Sequence, residues 1–184
     1  IIYIHNMYDT YVISLYNNKR FDIAYKHLKS NNFTNIKRID AIDTREMNYV
    51  DLKDHVTAKC YFDLTNYRET HDGLSSKGCV GCFLSHIECW KIAVHSNKPI
   101  IVCEDDCSIQ TDYKNIIDDI KQHSNCEFIS FQNNLLKINK KSYIENLNMF
   151  YGTTCYYITP KCARVLLNEA NRIHCQVDSY IYYM

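Results

Sequence analysis

The stretch PIIVCEDDCSI, residues 99–109, decides how this chain is read. Ile100, Ile101, Val102 and Cys103 form a short apolar run, the length and composition of a buried strand. The run ends on Glu104, Asp105 and Asp106. A solvated turn tolerates three acids but has no use for all of them, whereas a cation does. By itself an acidic triplet is more often a solvated strand end, here with a helix cap beyond it. Its place after a continuous apolar strand sets a ligand site level with that reading, because open α/β sheets bind ligands outside the carboxyl ends of their strands.

The preceding segment supports the ligand site. Residues 78–96 have helical spacing, with Phe83, Ile87, Trp90 and Val94 on one face. Asn97 and Pro99 end the helix, and the strand follows after a very short connection, so the two run antiparallel. The helix amino terminus then lies on the same rim as the acids. Free N–H groups and the macrodipole make such an end attractive to anions. Gly78 and Gly81 let a ligand approach the backbone closely, and Lys77 adds positive charge. One rim would thus attract both a cation and an anion, which suits a diphosphate with Mn2+ or Mg2+. His86 falls off the main apolar stripe, so it faces either the rim or a neighbouring strand. A buried, hydrogen-bonded histidine is the commoner case.

The rest of the chain reads as an α/β domain. Residues 11–15 are a strand, 19–30 a helix in which Phe21, Ala24, Tyr25 and Leu28 recur at helical spacing, and 36–39 a second strand. This β-α-β opening is the usual start of an open sheet. Residues 44–77 are polar and poorly periodic, with a short helix near 49–56 and a long excursion. Asp112 caps a helix reaching His123, residues 128–131 form a strand, and a polar loop leads to a strand over 153–159. Thr159 and Pro160 open a helix through Asn171. The final residues, QVDSYIYYM, start another.

The bulk numbers exclude several classes. The 184 residues make one domain, able to bury about 70% of its unfolded surface. Lys plus Arg and Asp plus Glu are 21 each, which leaves no footprint for nucleic acid or an anionic membrane. No apolar run approaches the roughly 20 residues of a membrane span. The chain does not begin with Met, and nothing at its start reads as a signal peptide, so a portion of something longer is expected. The ten cysteines are scattered, and Cys82, Cys89, Cys103 and Cys155 sit in apolar runs as small buried hydrophobes. Cys79 and Cys82 form a C-x-x-C without a second pair at zinc-finger spacing. Free thiols in a reducing, cytoplasmic compartment are therefore expected. Heavy use of Asn, Lys, Ile and Tyr is the coding bias of an AT-rich genome, which would suit a large DNA virus.

Taken together, the motifs resemble those of the family 25 glycosyltransferases, which include bacterial lipooligosaccharide and collagen hydroxylysine galactosyltransferases. The resemblance rests on Leu74-Ser75, Gly78-Cys79-Val80-Gly81-Cys82, Leu84-Ser85-His86, Trp90 and Glu104-Asp105-Asp106. YVISLYNNKRF resembles the family's first strand and its following arginine, here Arg20. IKRIDAID resembles a segment ending in Ala-x-Asp near the nucleotide, here Ala41 and Asp43. GTTCYYITPKCARVLL and QVDSYI resemble later family segments. Cys79 stands where the family usually has Glu, and Gln176 where it has Pro.

The resemblance implies a GT-A-like (Rossmann-like) single domain over 1–184, with a mixed, mostly parallel sheet flanked by helices and without its closing C-terminal segment. It implies inverting transfer of a hexose, galactose or glucose, from a UDP-sugar to a glycan or collagen-like acceptor, with Mn2+ or Mg2+. Asp106 leads as metal ligand, with Glu104 beside it or on the ribose. Alternation puts Asp105 on the other side, bonding locally or touching the sugar as a catalytic group. Donor contacts fall to Ser14, Leu15, Arg20, Ala41, Asp43, Lys77, Gly78, Gly81, His86 and Glu104. Asp178, flanked by Val177 and by Tyr180 and Ile181, is the candidate base on the acceptor hydroxyl, or else a helix N-cap. Two other classes stay open: a catalytically silent nucleotide-sugar or glycan-binding relative, and a cysteine-rich metal-binding module.

Overall fold

The computed structural model describes residues 7–68, 73–131 and 152–184. Its centre is a five-stranded sheet in the order β2-β1-β3-β5-β4. The strands are β1 (Asp9–Ser14), β2 (Ile36–Asp40), β3 (Ile100–Glu104), β4 (Phe128–Ser130) and β5 (Cys155–Ile158). β1 pairs parallel with β2 and β3, and β5 pairs antiparallel with β3 and β4. Four strands therefore point one way and β5 alone is reversed, which makes the sheet mixed but mostly parallel. This is a GT-A-like α/β fold. The helices are α1 (Arg20–Ser30), α2 (Tyr49–Leu52), α3 (Ala58–Thr65), α4 (Lys77–Ser96), α5 (Tyr113–Gln122), α6 (Pro160–Glu169) and α7 (Val177–Tyr183).

Strand alternation divides the core in two. Tyr11, Ile13, Ile100, Val102, Tyr156 and Ile158 face one layer with α4, α6 and α7. Val12, Ile101, Cys103, Cys155 and Tyr157 face the other with α1 and α5. Trp90 is fully buried in the first layer, against Tyr180 at 6.0 Å and Phe83 at 5.9 Å between ring centroids. In the second, Ile116, Ile117 and Ile120 form the buried stripe of α5, capped by Asp112, whose side chain accepts from the Lys114 amide at 2.8 Å.

Four local expectations need correction. The residues read as a long excursion hold α3 as well as the shorter α2, because Thr57 caps α3 and the chain there is tied to a distant segment. The Thr57 amide donates to the Ile173 carbonyl and the Ile173 amide to the His55 carbonyl, both at 2.9 Å. On α4 the buried face runs through Phe83, His86, Trp90 and Ala93 with Cys89, while Ile87 and Val94 are only half-buried. This helix packs on both the sheet and α6, so its buried arc is wider than one apolar stripe and takes in polar residues. α6 ends at Glu169 rather than Asn171, and β5 spans Cys155–Ile158 rather than 153–159, freeing Thr153 for a side-chain contact. The polar loop expected before β5 lies largely outside the described residues.

Candidate active site

β3 and α4 do run antiparallel, and the amino end of α4 and the end of β3 meet in one open cleft. It is lined by Ser14 and Leu15 from β1 and its end, Ala41 and Asp43 after β2, Gly78, Cys82 and His86 of α4, and Glu104 and Asp105. Arg20 lines it too. Nine of the expected site positions, Ser14, Leu15, Arg20, Ala41, Asp43, Gly78, His86, Glu104 and Asp105, thus converge although they come from four parts of the chain.

Glu104 follows Cys103 on the strand, so its side chain turns to the opposite face, toward α4. There His86 Nε2 lies 3.2 Å from Glu104 Oε1, and the Thr153 hydroxyl donates to the same oxygen. His86 Nδ1 meets the Tyr156 hydroxyl at 2.8 Å, and that hydroxyl accepts from Trp90 Nε1 at 3.1 Å. The arrangement that satisfies every group has Tyr156 donating to Nδ1 and Nε2–H donating to Glu104. His86 is 0% exposed, so it is the buried, bonded histidine, yet it also reaches the cleft through Glu104. Burial raises the Glu104 pKa, but the hydrogen bonds from His86 and Thr153 and the nearby Arg20 charge outweigh it and hold the carboxyl below its ordinary value. Among the described residues no hydrogen bond falls on Oε2 of Glu104.

The other two acids differ. Asp105 Oδ2 accepts from the Ser14 hydroxyl at 2.8 Å, and Oδ1 lies 2.9 Å from the Arg20 guanidinium. Both of its oxygens are thus engaged locally, and it anchors Arg20 at the rim. Asp106 is half-exposed, 3.4 Å from Arg20. Burial and the neighbouring Glu104 charge push its pKa up, and Arg20 only partly offsets them. A half-exposed carboxyl beside two others is a place where added positive charge is favourable.

The glycines separate cleanly. A Cβ on Gly78 would meet nothing nearer than the Ser76 hydroxyl at 3.5 Å, so the backbone there is open. A Cβ on Gly81 would collide with the Ile42 carbonyl and lie 2.8 Å from the Thr44 hydroxyl. Gly81 is buried, and its glycine serves close packing of α4 on the 41–45 loop rather than ligand approach. Lys77 is also not in the cleft: its Nζ donates to the Met47 carbonyl at 2.7 Å and sits 5.2 Å from the Tyr49 ring centre, in an adjoining groove. Asp43 is held by Arg45 through bonds of 2.8 Å and 2.5 Å, which depress its pKa to about 2.

Asp178 is not the N-cap of α7, a position that Gln176 holds. It lies in the first turn, where Oδ2 accepts from the Gly152 amide at 2.7 Å and Oδ1 from the Ser179 amide at 2.8 Å. Gly152 adjoins Thr153, the clamp on Glu104, so Asp178 is tied to the rim through that segment. Asp106 and Asp178 lie outside the cleft lining, yet both charges, with that of Glu104, act on the Cys82 thiol. Burial first, then these carboxylates, push that thiol well up and keep it protonated, which rules against a nucleophile there. Cys82 is half-buried at the cleft, not a core hydrophobe.

Sequence reasoning missed Thr153, Tyr156 and Ser85. Ser85 accepts from the Ile42 amide at 2.9 Å and donates to the Gly81 carbonyl at 2.6 Å, fixing the loop that carries Ala41 and Asp43. Its only sequence signal was its place between Leu84 and His86. Thr153 and Tyr156 fell inside the segment that resembles a later family strand, but their contacts were not legible because their partners lie 49 and 70 residues away.

A family model described as Glycosyltransferase family 25 (LPS biosynthesis protein) matches residues 7–137. No curated protein gives a significant match to this chain.

Proposed function

This chain belongs to glycosyltransferase family 25, and from that membership we propose that it transfers a hexose, galactose or glucose, from a UDP-sugar to a hydroxyl of a glycan or hydroxylysine acceptor, with inversion. The observation that carries the donor reading is the convergence of two opposite charge preferences in one cleft. The carboxyl of Glu104 lines the cleft with the amino end of α4, where Ser76 makes no side-chain cap bond and Gly78 leaves the backbone open, and Asp106 follows just beyond the lining beside Arg20. A diphosphate fits the helix end.

The carboxylate oxygens of Asp106 and Glu104 Oε2 are a hard donor set that suits Mn2+ or Mg2+. Bound there, the ion would offset the negative charge that develops on the departing diphosphate. The chain's own groups do the rest. First-turn amides of α4 donate to phosphate oxygens as their charge grows, so they help most in the transition state. His86, held by Tyr156, whose hydroxyl Trp90 bonds in turn, fixes the Glu104 carboxyl. Asp105 fixes Arg20. Ser14, Leu15, Ala41 and Asp43 form the adjoining wall of the cleft, which takes the nucleoside. Asp178, oriented by the Gly152 and Ser179 amides, takes the proton from the acceptor hydroxyl as it attacks the face opposite the leaving group.

The test is a donor screen with Mn2+, each common nucleotide-sugar in turn, and UDP release read with and without acceptors. Acceptor-dependent release from one UDP-hexose is expected. Tight UDP-sugar binding without release would establish the catalytically silent reading instead, which the Cys79 departure motivates.

A further inference from the structure

On the face of the sheet turned away from the cleft, three thiols meet. Cys103 of β3 and Cys155 of β5 are register partners, with their sulfurs 3.4 Å apart. Cys107, just past the acidic turn, joins them, and all three sulfurs lie within 4.8 Å of one another. They are 0%, 2% and 7% exposed for Cys103, Cys155 and Cys107. Ile109, Ile129 and Tyr157 belong to the same buried layer. The transfer chemistry uses none of these sulfurs.

We infer that Cys103, Cys107 and Cys155 form a binding site for a soft, thiophilic metal ion of the Cu(I) class. Three sulfurs around one ion at about 2.3 Å sit about 4 Å apart, which the observed spacing brackets. Among the described residues no histidine nitrogen or carboxylate oxygen joins the group at that range. Zinc almost always takes four ligands, and among the described residues this group supplies three. Thiolate ligands select Cu(I), which a three-sulfur site can satisfy. Each sulfur that binds as thiolate releases its proton, and Cys107, the most exposed of the three, is the route out.

The position gives the site a consequence. Cys103 immediately precedes Glu104, and Cys107 immediately follows Asp106. The Cys107 amide already donates to the Glu104 carbonyl at 3.0 Å. An ion held by these sulfurs clamps both ends of the acidic turn, and through Cys155 ties it to the strand that follows Thr153. This inference stands apart from the transfer reading, since it needs no nucleotide.

The experiment is an anaerobic Cu(I) titration in competition with a chromogenic Cu(I) chelator. A Cys79→Ser background removes the Cys79–Cys82 pair as a rival site. One equivalent should bind, and Cys103→Ser, Cys107→Ser and Cys155→Ser should each weaken binding by about tenfold or more. Cys60→Ser, a buried cysteine outside the group, should leave it unchanged. X-ray absorption on the loaded Cys79→Ser protein, which does not depend on the cluster variants folding, should count three sulfur ligands. Unchanged affinity in Cys107→Ser, a count of two sulfurs, or Zn2+ held more tightly than Cu(I) would each overturn the assignment.

Discussion

Glu104 and Cys103 are neighbours in sequence, yet they stand on opposite faces of one strand in opposite kinds of environment. On the α4 face a polar chain runs from Trp90 through Tyr156 and His86 to Glu104, with Thr153 closing it. Every buried polar group in that chain has a partner, as burial demands. On the α5 face, Cys103 meets two more sulfurs among apolar side chains. A one-residue step therefore separates an ionised, hydrogen-bonded carboxyl from a dry thiol group. The acidic turn, Glu104 to Asp106, is held from both sides at once.

The largest way to break the α4 side is at its exposed end. Asp106→Asn should lower sugar transfer by about 10²- to 10³-fold and abolish divalent-metal-dependent UDP binding, the scale of removing one preorganised electrostatic group. Because Asp106 is half-exposed, melting should not move. Calorimetry with UDP and Mn2+ decides, and unchanged affinity removes Asp106 from the metal.

Asp178→Asn sharpens the division between donor and acceptor sides. Transfer should fall by roughly 10²-fold, the usual scale when a general base is removed, while UDP affinity holds. Wild-type transfer rates in this variant would leave Asp178 as a structural tie to Gly152 alone.

Gly81→Val tests how α4 is seated. The added side chain meets the Ile42 carbonyl, which is backbone and cannot yield locally. A destabilisation of about 2–3 kcal/mol is expected, the range for overpacking. Uridine and UDP should weaken alike, because the change displaces the 41–45 loop and leaves the open backbone at Gly78 alone. A weakening confined to UDP would return Gly81 to the ligand.

Smaller still is the pH response of Glu104. Its folded-state pKa is depressed, so it stabilises the fold above its unfolded value and loses that contribution as pH falls through the folded one. Melts from about pH 7 down to about pH 3 should show wild type losing more stability than Glu104→Gln, with the divergence beginning below about pH 4.3. Parallel curves would mean the His86 hydrogen bond contributes nothing.

The smallest effect belongs to a control far from the rim. Thr159 accepts from the Cys162 amide at 3.3 Å as the cap of α6. Thr159→Ala should cost about 1 kcal/mol and leave transfer untouched.

The local grammar of this protein was legible without coordinates. The apolar run of β3, the caps Asp112 and Thr159, and the reversal between α4 and β3 depend on neighbours in sequence, where periodicity and capping act. From these alone the shared rim of acids and helix end followed, and the ordered motifs implied the family. What tertiary structure decided is everything that needs distant segments to meet. The buried arc of α4 depends on what packs there, so His86 and Ser85 lie inside although both fall off the single apolar stripe. Gly81 is a glycine because a loop some 40 residues earlier presses on it. Lys77 turns to Met47 rather than to the cleft, since a carbonyl and a ring satisfy it nearby. Thr153 and Cys155 reach β3 only through the antiparallel insertion of β5, a pairing chosen by the whole sheet. Strand alternation sends Cys155 to the thiols, while Thr153, outside β5, is free to turn its hydroxyl to the Glu104 carboxyl, and only the assembled topology brings their partners within reach.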